Sequence, residues 1–176
     1  MFKDFNISPF KKNKPPVDSG YTTRTEINEL KKIPLNKSFV KKNDNIEAAF
    51  KKTAEDNNIK DYDKNIAAKL IKDSAPVILE LKKYHNRPRP YELDKNLKHF
   101  KMKSMETASY PSGHSVQGIL IAKVLGDKQP TAKSAFTKTG ENISYSRRVA
   151  RAHYKSDRKV GEELGNSMYK HIKNKI

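Results

Sequence analysis

The hydrophobic positions of this chain of 176 residues recur every three or four residues over most of its length, which is the spacing of helix faces. The pattern predicts helices over about 24–33 and 45–56, followed by a longer apolar segment over 61–84. Within that segment we expect a second helix to begin near Pro76, because proline is favoured in the first turn of a helix. The alternating pattern of a strand is weak everywhere, so we predict an all-α fold, a single-domain helical bundle of about six helices.

The second half of the chain carries three further helical stripes. They follow a polar, irregular stretch over 91–110, and they begin near Ser112, Pro130 and Asp157. In the last stripe Gly161 and Gly165 are four residues apart, so they share one helix face. Two glycines on one face predict a close contact with a neighbouring helix.

The N-terminal part of the chain is more polar. Residues 1–20 contain three prolines and several lysines, and we predict an extended N-terminal arm there, with the domain itself over 21–176. Thr23 and Glu26 have the spacing of a capping box for the first helix. A polar stretch over 34–45 separates this helix from the next.

The sequence shows neither the pattern of a membrane span nor that of a signal peptide. Its richest apolar runs, 75–81 and 118–125, are shorter than the roughly 18 residues that a membrane helix needs. The N-terminus lacks the apolar centre of a secretory signal peptide. We therefore expect a cytoplasmic protein rather than an integral membrane enzyme, or a periplasmic or secreted one if the chain is already processed.

The chain carries a formal net charge of +17, with 37 lysines and arginines against 20 acidic residues. A surface of that charge attracts polyanions: nucleic acids, nucleotides, phosphorylated metabolites or anionic membranes. Charge alone does not choose among these partners. The absence of cysteine excludes disulfides, thiolate metal sites and cysteine nucleophiles.

Arginine is scarce and clustered in this chain, which narrows the range of anionic partners. Of seven arginines, six lie in two short windows over 82–90 and 146–158. Arginine binds phosphate oxygens in a fork, whereas lysine acts as a point charge. In a lysine-rich chain, such clustering indicates an oxyanion-binding site.

Two histidines stand beside groups that suit phosphate chemistry. Ser112 and Gly113 precede an apolar helix, whose N-terminus offers free N–H groups, and His114 at that point can deliver a proton to a leaving group. His153 lies four residues before Asp157, a spacing that can place both on one face of a helical turn. A carboxylate on one ring nitrogen fixes the tautomer and leaves the other nitrogen as a nucleophile or base.

Three motifs in the sequence together resemble a known signature. In order they are Lys82-x6-Arg89-Pro90, Pro111-Ser112-Gly113-His114 and Ser146-Arg147-x5-His153-x3-Asp157, which fix eleven positions. They resemble the signature of the type 2 phosphatidic acid phosphatase (PAP2) superfamily, which includes bacterial class A non-specific acid phosphatases and vanadium haloperoxidases. The resemblance is strong over 82–165 and faint over 15–60, and it is closest to the soluble acid phosphatase branch.

The resemblance implies a role for each motif residue. His153 would attack phosphorus and form a phosphohistidine, Asp157 would orient it, and His114 would protonate the leaving oxygen and then activate water. The non-bridging oxygens would be bound by Lys82, Arg89, Ser112, Gly113 and Arg147. The resemblance implies no metal and no other cofactor.

Several functions remain open at this point. The first is a phosphomonoesterase acting on a small phosphorylated substrate, nucleotides among them, with vanadate as an analogue. A phosphotransferase or a vanadate-dependent haloperoxidase would use the same pocket. A basic nucleic-acid-binding protein is a less favoured alternative from another class of function. The sequence leaves open whether the chain forms a homo-oligomer.

Residues outside the signature are expected to have supporting roles. We expect Arg87 to lie behind the site or in solvent, and Tyr154 to pack. Asp61 and Asp63 fit the start of a helix better than a metal site. Residues that select the substrate are expected within 91–110 and in the N-terminal arm.

Overall fold

The computed structural model describes residues 1–175, and most of them are helical. The helices are α1 (Ser8–Lys12), α2 (Tyr21–Lys32), α3 (Lys37–Asp44), α4 (Ile46–Asp56), α5 (Lys64–His85), α6 (Pro90–Leu93), α7 (Gly113–Lys128), α8 (Lys133–Val149) and α9 (Lys155–Ile172). Two single 3₁₀ turns cover Lys103–Glu106 and Pro130–Ala132. The described residues contain no strand, so the all-α prediction is confirmed.

The number of helices within residues 1–175 exceeds the predicted six because three short helices have too few apolar positions to give a period. The clearest case is α3, which lies in the polar stretch over 34–45. Asn36 caps it by accepting a hydrogen bond from the Phe39 N–H at 3.0 Å, and Val40 is its one buried hydrophobic residue. Its two apolar positions, Phe39 and Val40, are adjacent and give no recognisable helical period.

The long apolar segment is one helix, so the predicted break at Pro76 is wrong. Asp63 accepts from the Asn65 N–H at 2.9 Å and caps α5, as expected of a helix start. Pro76 lies inside the helix, and near it the Ile71 carbonyl accepts hydrogen bonds from two side chains, Ser74 Oγ at 3.1 Å and Gln117 Nε2 at 3.3 Å. Pro76 has no N–H for the Lys72 carbonyl four residues earlier, yet the helix continues past it, and these side-chain bonds lie one residue before the interrupted position.

Helix α7 lies at the centre of the bundle, between α5, α8 and α9. The predicted close contact of α9 is confirmed: a Cβ atom on Gly161 would lie 2.7 Å from the Ser112 carbonyl, and one on Gly165 would lie 2.5 Å from the Val116 carbonyl. Only glycine leaves room for backbones at this distance. The contact places the start of α9 against the start of α7, which brings the second and third motifs together.

The N-terminal segment differs from the extended arm that we predicted. It contains α1, and Phe2 is buried in the main core. The Tyr110 hydroxyl donates to the Asn13 carbonyl at 2.7 Å. The segment is therefore packed onto the bundle, because its aromatic residues have apolar surface to bury.

The predicted capping box at Thr23 is also wrong. Gly20 is the N-cap of α2, and the Thr23 hydroxyl donates to the Val17 carbonyl at 2.8 Å. Glu26 is buried and bonds to residues of the third motif instead. The spacing along the sequence assigned Glu26 to a helix end, whereas its carboxylate bonds to Ser156, a residue distant in the sequence.

Candidate active site

The hydrogen bonds of His153 fix its tautomer. It precedes α9 and is buried, with Nδ1 3.1 Å from Asp157 Oδ2 and Nε2 2.9 Å from Arg89 Nη1. A guanidinium only donates, so Nε2 accepts and the ring proton lies on Nδ1. Burial, together with the charge of Arg89, lowers the pKa of His153 well below its usual value. His153 is therefore neutral, with its lone pair on Nε2.

Asp157 is fully buried and accepts from four donors. These are His153 Nδ1, the Ser109 hydroxyl, the Tyr154 N–H at 3.1 Å and Arg87 Nη1 at 2.7 Å. Burial by itself raises the pKa of this carboxyl, but the hydrogen bonds and the charge of Arg87 outweigh it and hold the pKa at about 2. The carboxylate stays ionised and orients His153.

Arg87 lies directly behind this pair and is fully buried. It donates to Asp157 on one side and to Ser156 Oγ at 2.7 Å and Glu26 Oε2 at 3.3 Å on the other. Its guanidinium stacks on the Tyr154 ring at 3.7 Å. The expected position behind the site is thus correct, while its partner Glu26 on α2 was missed because no local pattern links residues so far apart in sequence.

Two cations approach His153 from the first motif. Arg89 donates to the carbonyls of Thr107 at 3.0 Å, Ser104 at 3.0 Å and Ala152 at 2.9 Å, so its guanidinium is held rigidly. Lys82 donates to the Ala108 carbonyl. Burial, and then the positive charge of Arg89, lowers the pKa of Lys82 to about 7, with Asp157 opposing this shift.

Arg147 supplies a third cation, from the end of α8. Its Nε donates to Ser146 Oγ at 3.0 Å, and Nη1 donates to Asp44 Oδ1 at 2.9 Å. Nη2 is buried without a hydrogen-bond partner. A buried N–H without a partner is costly, so Nη2 is a donor available to an incoming oxyanion.

The second motif begins α7. Ser112 is its fully buried N-cap and accepts from Ser115 Oγ at 2.9 Å. His114 Nε2 lies 2.9 Å from the Asp44 carbonyl; a carbonyl only accepts, so Nε2 carries a proton. Burial, and then the charge of Arg147, lowers the pKa of His114 to about 4. In the neutral ring the lone pair is therefore on Nδ1.

Comparison with known proteins gives sequence relatives over part of the chain. The non-specific acid phosphatase of Salmonella typhimurium strain LT2 is 32% identical over 93 residues, and that of Salmonella typhi is 33% identical over 93 residues. Each match covers 48% of this chain and 35% of the relative, so the chain matches about a third of the length of these curated relatives. No family model matches the chain.

A solved structure matches over nearly the whole chain. It is the first transmembrane PAP2 type phosphatidylglycerolphosphate phosphatase from Bacillus subtilis, with a TM-score of 0.61, 15% identity, and coverage of 99% of this chain and 96% of the other. The chain is acid phosphatase-like and has the PAP2 fold. The resemblance that its three motifs indicated is thereby confirmed. Within residues 1–175, no helix combines the length and apolarity that crossing a membrane requires.

The candidate site opens into a cavity of about 430 Å³. Of the residues predicted for the site, Lys82, Gly113, His114 and His153 line the cavity. The others form its buried support: Arg89, Ser112, Arg147 and Asp157. The sequence analysis thus named both groups of residues, but it did not distinguish those that line the cavity from those buried behind it.

The cavity has two chemically different walls. Helix α5 supplies an apolar wall from Ala75, Ile78 and Leu79, which the sequence analysis did not single out. The opposite wall is polar, and it is formed by Lys103, Ser104, Glu106 and Thr107. These four lie within 91–110, the stretch where we expect residues that select the substrate.

Proposed function

We propose that this chain is a phosphomonoesterase that transfers a phosphoryl group to His153 and then to water. The observation that carries the proposal is the lone pair of His153 Nε2, which the hydrogen bonds from Arg89 and to Asp157 define. His153 lies at a cavity that Lys82 also lines and that the buried Arg89 and Arg147 support, so its free lone pair is a nucleophile beside three cations. The names of the similar acid phosphatases support the same class of reaction.

In the first step His153 Nε2 attacks phosphorus. The N–P bond forms as the ester P–O bond breaks, and the leaving oxygen takes a proton from Nδ1 of protonated His114. The Arg89 Nη1–H that points at Nε2 then donates to a non-bridging oxygen while the guanidinium keeps its carbonyl contacts, and Arg147 Nη2 and Lys82 also donate to these oxygens. Phosphoryl transfer spreads charge over these oxygens, so fixed donors stabilise its transition state.

In the second step water hydrolyses the phosphohistidine. His114, now neutral, takes a proton from water on Nδ1 while the new P–O bond forms and the P–N bond breaks. The lone pair returns to His153 Nε2. Throughout, ionised Asp157 stabilises the positive charge that develops on the His153 ring.

The substrate we propose is a small phosphate monoester whose leaving group has an apolar face. Such a group would lie against Ile78 and Leu79 while Lys103 meets a polar or anionic part. A nucleoside monophosphate meets this description, and the net charge of +17 favours its approach.

The proposal is tested by phosphate release from p-nitrophenyl phosphate with and without orthovanadate. Vanadate adopts five-coordinate geometry and should occupy the same pocket, so we expect release that vanadate inhibits. Failure to release phosphate from this compound and from a panel of nucleotides and sugar phosphates would contradict the proposal. Bromide oxidation by peroxide that requires added vanadate would reassign the pocket to haloperoxidase chemistry.

Replacing His114 with alanine should separate substrates by their leaving groups. For glycerol phosphate we expect kcat/KM to fall by about 10²–10⁴-fold, the usual contribution of a general acid. For p-nitrophenyl phosphate, whose leaving group departs without a proton, the loss should be much smaller. Equal losses on both substrates would argue against His114 as the acid.

The pH profile provides a second measurement of the same role. Because the pKa of His114 is about 4, its acid form is scarce at neutral pH and increases as the pH falls. The groups that face it are Arg147 and Lys82, which disfavour the cation, and Asp44, which favours it. The ratio of wild-type to His114→Ala kcat/KM on glycerol phosphate should therefore rise from pH 7 towards pH 4 and level off below it.

A further inference from the structure

Asp44, the last residue of α3, contacts two groups of the site at once. Its carboxylate Oδ1 lies 2.9 Å from Arg147 Nη1 and 3.7 Å from His114 Nε2. Its main-chain carbonyl accepts from His114 Nε2 at 2.9 Å. The residue lies outside all three motifs, and it comes from a helix that the sequence pattern did not predict.

The contact with Arg147 determines which nitrogen remains for substrate. Ser146 holds Nε and Asp44 holds Nη1, so two of the three nitrogens are fixed and the guanidinium plane cannot rotate. Nη2 stays buried without a partner. The Asp44 carboxylate binds Nη1 and not Nη2, so a substrate oxygen that reaches Nη2 need not displace it. The carboxylate therefore orients the arginine without occupying its free donor.

The contact with His114 determines which nitrogen exchanges protons. The Asp44 carbonyl keeps a proton on Nε2, so the proton that moves is the one on Nδ1. The nearby carboxylate favours the imidazolium form, against the charges of Arg147 and Lys82. Without this negative charge, His114 would be protonated less often at a given pH.

We propose that Asp44 is a positioning residue of the active site, which fixes Arg147 for an oxygen of the substrate and His114 for proton transfer. The turn between α3 and α4 is therefore part of the functional site. The inference rests on the proposed phosphomonoesterase function, since it assigns a role to the same pocket.

The test is Asp44→Asn, which keeps the backbone carbonyl and the side-chain shape but removes the charge. Inhibition of p-nitrophenyl phosphate hydrolysis by orthovanadate should weaken by about tenfold, equivalent to ~1.4 kcal/mol of binding free energy. The kcat/KM for glycerol phosphate should fall more than that for p-nitrophenyl phosphate. The increase in kcat/KM for glycerol phosphate, relative to His114→Ala, as the pH falls should occur at a lower pH than in the wild-type chain. Asp44→Glu, which keeps the charge, should recover most of the vanadate affinity.

Asp56→Asn is the matched control, because Asp56 is an exposed residue of α4 whose carboxylate pairs only with Lys52. It should leave both measurements unchanged. Tighter vanadate binding by Asp44→Asn would overturn the proposal, since Asp44 would then compete with phosphate for Arg147. Unchanged pH profile and affinity would overturn it too, as would equal losses in the Asn and Glu variants. If the wild-type chain neither releases phosphate nor binds vanadate, the proposed function itself fails.

Discussion

Replacing His153 with alanine should abolish phosphate release, because it removes the Nε2 lone pair that we propose as the nucleophile. Removal of an enzyme nucleophile costs about 10⁴-fold or more in kcat, so the variant should fall to the background rate. Asp157 keeps its bonds from Ser109, Arg87 and the Tyr154 N–H, so we expect the fold and vanadate binding to persist. The measurement is steady-state phosphate release, together with circular dichroism.

The same variant tests the covalent step directly. Substrate carrying ³²P, quenched in alkali during turnover, should label the wild-type chain through an alkali-stable N–P bond, and the label should be absent from His153→Ala. His171→Ala is the control, since that ring pairs with Asp4 outside the cavity. A label that survives in His153→Ala would place the nucleophile elsewhere.

The fold could be predicted where a hydrophobic stripe was long. The stripes of α4, α7 and α9 gave helix positions within a few residues, and the two glycines of α9 gave its close contact. Pro76 misled the prediction because one proline removes only one backbone hydrogen bond, and the packing of this helix of 22 residues outweighs that loss. The N-terminal segment misled it because proline and lysine content hid the aromatic residues that anchor it.

The site could be predicted only as far as the motifs extend. Of the eight predicted site residues, four line one cavity and four are buried, with Asp157 and Arg89 bonded to His153. Glu26 and Asp44 could not be found in this way. Glu26 was assigned to a helix end and Asp44 lies in a polar stretch, and only the packing of α2 and α3 onto the motifs gives each its role. Contacts between distant segments have no local period to detect.

The charges of the site do not balance within the chain. Four cationic side chains meet there: Lys82, Arg87, Arg89 and Arg147. Three carboxylates oppose them: Glu26, Asp44 and Asp157. Both Glu26 and Asp157 pair with Arg87, so the side facing the cavity keeps an excess of positive charge. Under the proposed function, the phosphate group of the substrate supplies negative charge that this side of the site lacks.

Arg87→Met should destabilise the chain more than a substitution at a predicted phosphate-binding residue. Arg87 is the cation between Asp157 and Glu26, and its side chain is 0% exposed. Methionine fills similar space but leaves two buried carboxylates without a counter-charge, which typically costs about 3–5 kcal/mol of unfolding free energy. Urea unfolding followed by circular dichroism measures the change.

A substitution at Glu26, one of the two carboxylates that pair with Arg87, shows whether uncompensated charge causes the loss of unfolding free energy. If uncompensated charge is responsible, Arg87→Met combined with Glu26→Gln should be less destabilised than the sum of the two single variants. Arg24→Met is the control, because Arg24 is exposed and bonds only to the Ser19 carbonyl; its effect should stay within about 0.5 kcal/mol. Additive losses, or equal stability of Arg87→Met and Arg24→Met, would contradict this account. The cluster would then act through packing, with the Tyr154 ring as its centre.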